Sequence, residues 1–189
     1  MAADQARLFV ALSLPVTVVD ELLRWRAPVL ASIDGLRAVR VGSLHATLCF
    51  LGSCPGDELD RIADACESVA GMALPWLSLG EPVWLPARRP NVLAVRLEDR
   101  GGGLEEIQSA LAGSLARGGW YEPESRPFFA HVTVARAGRR ERVAPVELEP
   151  PTAVAWRGKT LVLFRSRLDG SGARYETLRT LQLGTIVGS

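Results

Sequence analysis

The chain has 189 residues, a formal net charge of +1 and 48% apolar residues, values typical of a single soluble globular domain. Its apolar runs are shorter than the roughly 20 residues of a membrane-spanning helix, and its first residues lack the basic cluster of a signal peptide. Cys49, Cys54 and Cys66 are an odd number without a CxxC pair, which disfavours a disulfide framework and a zinc knuckle. We therefore expect a reduced, cytoplasmic protein.

Apolar runs alternate with amphipathic segments along the chain, and their periods predict its strands and helices. In chain order we predict a strand over 7–14, a helix over 16–32, strands over 36–41 and 44–51, a helix over 57–70, strands over 76–85 and 92–97, a helix over 102–117, and strands over 128–135, 160–168 and 175–183. The segment 137–158 contains three prolines and is predicted to be irregular. Asp169-Gly-Ser-Gly172 is typical of the turn of a hairpin.

The predicted elements recur along the chain at an offset of about 86 positions, which is also the separation of the two histidines. The first strand and helix correspond in this way to the strand over 92–97 and the helix over 102–117. We therefore predict an α+β fold with two pseudo-symmetric lobes of mainly antiparallel sheet, helices outside and a central cleft. Residues 1–189 form one bilobal domain in this prediction, with approximate half-repeats over 7–85 and 91–183.

Both histidines of the chain occupy the same local motif, in which a threonine follows two positions after the histidine. The first copy is His45-Ala-Thr47 and the second is His131-Val-Thr133, and each falls in a predicted strand. Residues i and i+2 of a strand point to the same face, so each imidazole lies beside a hydroxyl. If the two lobes face one another, both pairs converge on the cleft between them.

Two imidazoles and two hydroxyls in one cleft suit in-line displacement at a phosphodiester. One histidine can deprotonate the attacking oxygen while the other protonates the leaving oxygen, and this chemistry requires neither metal nor carboxylate. Thr47 and Thr133 can donate hydrogen bonds to the non-bridging phosphate oxygens, and Arg136 can stabilise negative charge on them. The sequence therefore indicates His45 and His131 as catalytic residues and Thr47, Thr133 and Arg136 as substrate-binding residues.

These residues also have plainer interpretations. A single histidine in a strand is more often structural than catalytic, threonine is a common strand residue, and Arg136 can be a solvated charge. The repetition of the whole motif favours catalysis. Cys49 is expected on the same face as His45, but residues four apart in a strand are separated by roughly 13 Å, too far for a cysteine–histidine pair. The two histidines also lack the ligand spacing of a zinc site.

Charge and aromatic content give weaker support for RNA. From residue 131 onward ten basic residues accompany five acidic ones, with Arg136, Arg139, Arg140 and Arg142 close in sequence. A basic rim beside the cleft suits an RNA end. Five aromatic side chains are candidates for stacking on a base, and the sequence does not choose among them: Trp25, Trp84, Trp120, Phe128 and Trp156.

The paired motifs and their flanks resemble the two-histidine phosphoesterase superfamily, and within it most closely the RNA 2',3'-cyclic phosphodiesterases, also called 2'-5' RNA ligases. The resemblance includes the opening strand, the Leu-Gly that follows the first motif, the Arg that follows the second, and the closing hairpin. It extends over nearly the whole chain. The matching segments are 7–15, 44–52, 129–136, 162–168 and 172–175.

The resemblance implies hydrolysis of an RNA 2',3'-cyclic phosphate to a 2'-phosphomonoester without a metal or other cofactor. It also implies a reverse activity that joins RNA ends through a 2'-5' linkage. By the same resemblance, His45 is the acid on the departing 3' oxygen and His131 is the base for water. We expect a monomer that acts on RNA ends or related nucleotides and does not bind membranes.

Two other kinds of function stay open at this point. The same chemistry could act on 2'-5' oligonucleotides or on small cyclic nucleotides. The same fold could also bind RNA or a nucleotide without catalysis, although the two intact motifs disfavour this. Turnover by the unmutated protein would separate the enzymes from the binding module.

Overall fold

The structure is a computed structural model that describes residues 5–138, 141–169 and 172–184. Within these ranges the chain forms nine strands and three α-helices. The strands are β1 (Gln5–Ser13), β2 (Leu36–Ala38), β3 (His45–Pro55), β4 (Trp76–Leu85), β5 (Val92–Asp99), β6 (His131–Ala137), β7 (Ala155–Arg157), β8 (Thr160–Asp169) and β9 (Gly172–Gln182). The helices are α1 (Val16–Ser32), α2 (Leu59–Cys66) and α3 (Gly103–Arg117). No helix in the described ranges is long and apolar enough to cross a membrane.

The nine strands make one antiparallel sheet in the order β7-β4-β5-β6-β3-β1-β8-β9, with β2 paired to β6. Eight of the strands form two halves of four, which meet where β3 pairs with β6 through Ala46 and Val132, and β2 is the ninth. The predicted α+β fold with two pseudo-symmetric lobes of antiparallel sheet is confirmed. The half-repeats stay a prediction. In the sheet, the last strand of the first half-repeat, β4, pairs with β5 of the second, and β8 of the second pairs with β1 of the first.

The two motif strands carry the same irregularity, which we call the paired bulges. In β3 the register to β1 skips Leu48, and in β6 the register to β5 skips Val134. An extra residue of this kind reverses the alternation of side chains beyond it. Leu48 and Cys49 are consequently both buried, as are Val134 and Ala135. The fifth residue after each histidine, Phe50 or Arg136, returns to the face that carries the histidine and the threonine.

The core holds the motif strands from the face opposite the histidines. Ala46 and Val132, which alternate with the motif side chains, are fully buried in one cluster with the apolar stripe of α3. That stripe comprises Leu104, Ile107, Leu111 and Leu115, at helical spacing. The helix begins after Gly102, and the Asp99 carboxylate accepts hydrogen bonds from the first free amides, those of Leu104 and Glu105.

The structure differs from the predicted elements mainly where a strand is short or ends early. β7 lies within the segment predicted to be irregular and, among the described strands, pairs with β4 alone; three residues are too few to show a period. β2 ends at Ala38, and β6 begins at His131 rather than at residue 128. The helix predicted over 57–70 is α2 flanked by short 3₁₀ turns. The hairpin of β8 and β9 is confirmed, whereas Gly170 and Ser171 of its predicted turn lie outside the described residues.

Candidate active site

A cavity of about 400 Å³ lies at the junction of the two sheet halves, and we call it the central cavity. All five predicted site residues line it: His45, Thr47, His131, Thr133 and Arg136. The other lining residues are Arg7, Phe9, Val39, Ser43, Phe50, Ser166, Ala173 and Tyr175. Both motifs therefore line one cavity, as the sequence predicts.

The pairing of Ala46 with Val132 sets the relation between the two motifs. Because β3 and β6 are antiparallel, His45 lies on the same side of this pair as Thr133, and Thr47 on the same side as His131. Each imidazole therefore has one hydroxyl on its own strand and another on the facing strand. A phosphate between the strands can meet an imidazole from each side and a hydroxyl from each side.

The paired bulges decide which other side chains reach the cavity. Arg136 is five positions after His131, so regular alternation would turn the arginine away from the cavity, and the bulge at Val134 turns it back. The matching bulge at Leu48 brings in Phe50, which is 46% exposed and carries the Arg7 guanidinium 4.9 Å from its ring centroid. At equivalent positions of the two motif strands, the cavity is consequently lined by the guanidinium of Arg136 on β6 and by the phenyl ring of Phe50 on β3.

The expectation that Cys49 shares a face with His45 is wrong, for the same reason. The bulge at Leu48 turns Cys49 into the core, where it is 1% exposed. Burial raises the pKa of its thiol to about 12, with the nearby Cys66 acting in the same direction. A thiol that stays protonated at neutral pH is a poor nucleophile, so Cys49 has no role in the site.

His45 lies in an aromatic cluster that the sequence did not reveal. The Phe9 ring stacks on the imidazole with centroids 5.1 Å apart, and the Tyr175 ring meets it edge-on at 5.4 Å. Its Nδ1 atom is buried and has no hydrogen-bond partner among the described residues. Burial, then the positive charge of Arg136, then His131, lower the pKa of His45 to about 4. His45 is therefore neutral at physiological pH in the free protein.

His131 has a different environment, which selects one of its tautomers. Its Nδ1 atom lies 2.8 Å from the backbone carbonyl oxygen of Phe129. A carbonyl oxygen only accepts, so Nδ1 carries the hydrogen and donates it, and Nε2 of the neutral ring keeps its lone pair. The Phe129 ring stacks on the imidazole with centroids 5.5 Å apart. The imidazole is thus oriented with a basic nitrogen free to act.

Few side chains of the central cavity can act as a general acid or base. No Asp or Glu is among its described lining residues, so the two imidazoles are the candidate acid and base there. In the described ranges, no three His, Cys, Asp or Glu side chains come together as a metal-binding group. The positive charges at the cavity are those of Arg7 and Arg136. Such a lining attracts an anion.

None of the five aromatic candidates from the sequence lines the central cavity. The indoles of Trp25 and Trp84 instead donate to the carbonyls of Glu149 and Val146, and thereby tether the irregular segment before β7. The rings that line the cavity are Phe9, Phe50 and Tyr175. Of the basic cluster, Arg136 reaches the cavity, whereas Arg139 and Arg140 lie outside the described residues.

Known proteins are similar to this chain in sequence and in fold. A family model described as LigT-like phosphoesterase matches residues 12–80. An RNA 2',3'-cyclic phosphodiesterase of Escherichia coli K12 is 28% identical over 71% of this chain and 73% of its own. A protein of the same name from Thermus thermophilus is 28% identical over 94% of this chain and 90% of its own.

Solved structures agree with these matches. The crystal structure of TT0787 from T. thermophilus superposes with a TM-score of 0.79 at 26% identity, covering 94% of this chain and 98% of that one. E. coli LigT in its apo form gives a TM-score of 0.80 at 24% identity, covering 97% and 100%. That protein has also been crystallised with 3'-AMP. In its paired motifs, its antiparallel sheet and these matches, the chain is therefore similar to the LigT-like phosphoesterases in both sequence and fold.

Proposed function

We propose that this protein hydrolyses RNA 2',3'-cyclic phosphate ends to 2'-phosphomonoesters, with His45 and His131 as its acid–base pair. The observation that carries the proposal is that both histidine–threonine motifs line a single cavity with Arg136. The names of the two curated relatives support the substrate, and the 3'-AMP complex of E. coli LigT supports a nucleotide ligand. Metal-independent catalysis is part of the proposal.

In the proposed reaction a water oxygen forms a bond to phosphorus and the bond between phosphorus and O3' breaks. One imidazole accepts the proton of the water, and the other gives a proton to O3', which leaves as a hydroxyl on the same ribose. Thr47, Thr133 and Arg136 stabilise the charge on the non-bridging oxygens. The phosphate stays on O2'. If the 5' hydroxyl of a second RNA takes the place of water, the same steps form a 2'-5' linkage.

The environments of the two histidines suggest their roles. His131 has its Nδ1 hydrogen committed to the Phe129 carbonyl, so its Nε2 is the base for water. His45 is then the acid, which requires its protonated form. With a pKa of about 4, however, its imidazole is neutral at physiological pH in the free protein. An anionic phosphodiester beside His45 favours the imidazolium and opposes the effect of Arg136. Binding of the substrate therefore raises the pKa of His45 and favours the protonated form that a general acid requires.

Binding of a nucleotide product should raise the pKa of His45. Histidine proton resonances are followed by NMR from pH 3 to 8, with and without a saturating 2'-nucleoside monophosphate. We expect the pKa of His45 to rise from about 4 toward the ordinary histidine value of about 6.5. The His131→Ala variant assigns the resonance. A pKa that stays near 4 in the complex would mean that the two histidines have the opposite roles.

The proposed activity is tested on a short RNA that ends in a 2',3'-cyclic phosphate, in the presence of EDTA. We expect conversion to a 2'-phosphate, identified by its resistance to an enzyme that removes only 3'-phosphates. The variant lacking both histidines is the negative control. No conversion by the folded protein would contradict the proposal, and 2'-5' oligonucleotides and small cyclic nucleotides would then be tested as substrates. Binding of RNA without turnover of any of them would identify a binding module.

A further inference from the structure

A second cavity, of about 330 Å³, adjoins the central one, and we call it the arginine cavity. The two share Val39, Ser43, Arg136, Ala173 and Tyr175, so a ligand can extend from one into the other. Its further lining residues are Arg37, Ala38, Arg40, Ala137 and Gly138. Arg136 is therefore the one basic side chain, among the described residues, that lines both cavities.

The charged side chains that line the arginine cavity are all positive among the described residues. Arg37, Arg40 and Arg136 line it, and no Asp or Glu is among its described lining residues. Arg37 and Arg136 are direct partners in the pairing of β2 with β6, an arrangement of like charges that destabilises a sheet. Within the described residues neither of these two forms an ion pair. Glu141 and the Arg37 guanidinium both pack beside Gly138, but Glu141 is not among the lining residues of the cavity and forms no ion pair with Arg37 within the described residues.

The backbone that carries Arg37 is fixed by a buried side chain. Arg26 of α1 is 7% exposed, and its Nη1 donates to the carbonyls of Val39 and Val134 at 2.9 and 3.1 Å. The amide of Val39 donates to the carbonyl of Val134 as well, at 3.1 Å. These bonds hold the end of β2 against β6. The repulsion between Arg37 and Arg136 is thus imposed by the fold, and an anion between them would relieve it.

We infer that the arginine cavity binds the RNA phosphodiester that precedes the terminal nucleotide, which makes an oligonucleotide a better substrate than a mononucleotide. The inference rests on the proposed function, because it takes the cyclic phosphate to occupy the central cavity. No nucleotide follows a cyclic phosphate end, so the next phosphate of the substrate is the one on its 5' side. Guanidinium groups suit this group because they bind phosphate oxygens in a bidentate manner.

The test uses three substrates: a nucleoside 2',3'-cyclic phosphate, a dinucleotide with the same end, and that dinucleotide with an uncharged methylphosphonate linkage. For the unmutated protein, we expect kcat/KM to be about tenfold higher for the charged dinucleotide than for the uncharged one. Arg37→Gln should lower the ratio of kcat/KM for the charged dinucleotide over the mononucleotide by about tenfold. Arg100→Gln, the same change at an exposed position that lines neither cavity, should leave the ratio unchanged.

Two outcomes would overturn the inference: equal kcat/KM for the charged and uncharged dinucleotides, or an unchanged ratio in Arg37→Gln. If no substrate is turned over, the proposed function fails, and equilibrium binding decides the inference separately. The same two dinucleotides, each ending in a 2'-phosphate, are then titrated into both proteins. Tighter binding of the charged one that Arg37→Gln abolishes would support the arginine cavity, whereas equal binding would contradict it.

Discussion

Replacing His131 with alanine is expected to lower kcat on a cyclic phosphate substrate by roughly 10²–10⁴-fold, the usual contribution of a general acid or base. His45→Ala should have an effect of the same order. The reason is that the described lining of the central cavity offers no carboxylate that could replace either imidazole. Initial rates at saturating substrate give kcat, and circular dichroism confirms that each variant is folded.

Cys49→Ala is the matched control for these variants. It lies four positions from His45 on the same strand, but in the core. Removing its sulfur should lower the free energy of unfolding and leave kcat within about twofold of the unmutated value, because no group of the cavity is changed. If either histidine variant kept full activity, the paired mechanism would be wrong. If Cys49→Ala lost activity, the loss in the histidine variants could be attributed to the fold.

The stability of the protein is expected to fall by about 3 kcal/mol between pH 7.5 and pH 4 because of His45 alone. Its pKa is about 4 in the folded protein and about 6.5 in the unfolded chain. Above pH 6.5 the ring is neutral in both states and contributes no pH dependence. Between pH 6.5 and pH 4 the unfolded chain binds a proton that the folded protein does not, so protonation favours unfolding and the free energy of unfolding decreases.

Urea unfolding of the unmutated protein and of His45→Phe at the two pH values isolates this contribution. Phenylalanine keeps an aromatic ring at the position that packs against Phe9 and Tyr175 and has no proton to bind, whereas every other titrating group is common to both proteins. The free energy of unfolding of the variant should therefore gain about 3 kcal/mol relative to the unmutated protein on going to pH 4. Equal losses in the two proteins would show that His45 titrates normally in the folded state.

Much of the fold could be predicted from the sequence because its signals are local. Apolar periods locate the helices and most of the strands, and the two-residue spacing of each motif places His45 beside Thr47 and His131 beside Thr133. The recurrence of similar elements indicates two related lobes. These signals need no knowledge of which strands pair. The convergence of the motifs on one cavity followed from them.

The rest of the site depends on strand pairing, which has no local signal. The cluster around His45 forms because Phe9 of β1 is paired directly with Phe164 of β8, far away in sequence. The paired bulges depend on the register to β1 and β5, so strict alternation placed Cys49 in the cleft and gave no reason to choose Phe50. Arg136 is predicted from its closeness to the second motif, whereas the bulge that turns it inward has no signal in the sequence.

An RNA strand has a direction, whereas the strand pairing next to the two histidines follows the same pattern in both halves of the sheet. Ser13 opposes His45 and Arg96 opposes His131, and the extra residue follows at the same point in each strand. A backbone that repeats in this way offers similar contacts to an RNA strand bound in either direction. Side chains must therefore determine the direction in which the RNA strand binds. The main difference between the two halves is at equivalent positions, where one has the phenyl ring of Phe50 and the other has the guanidinium of Arg136.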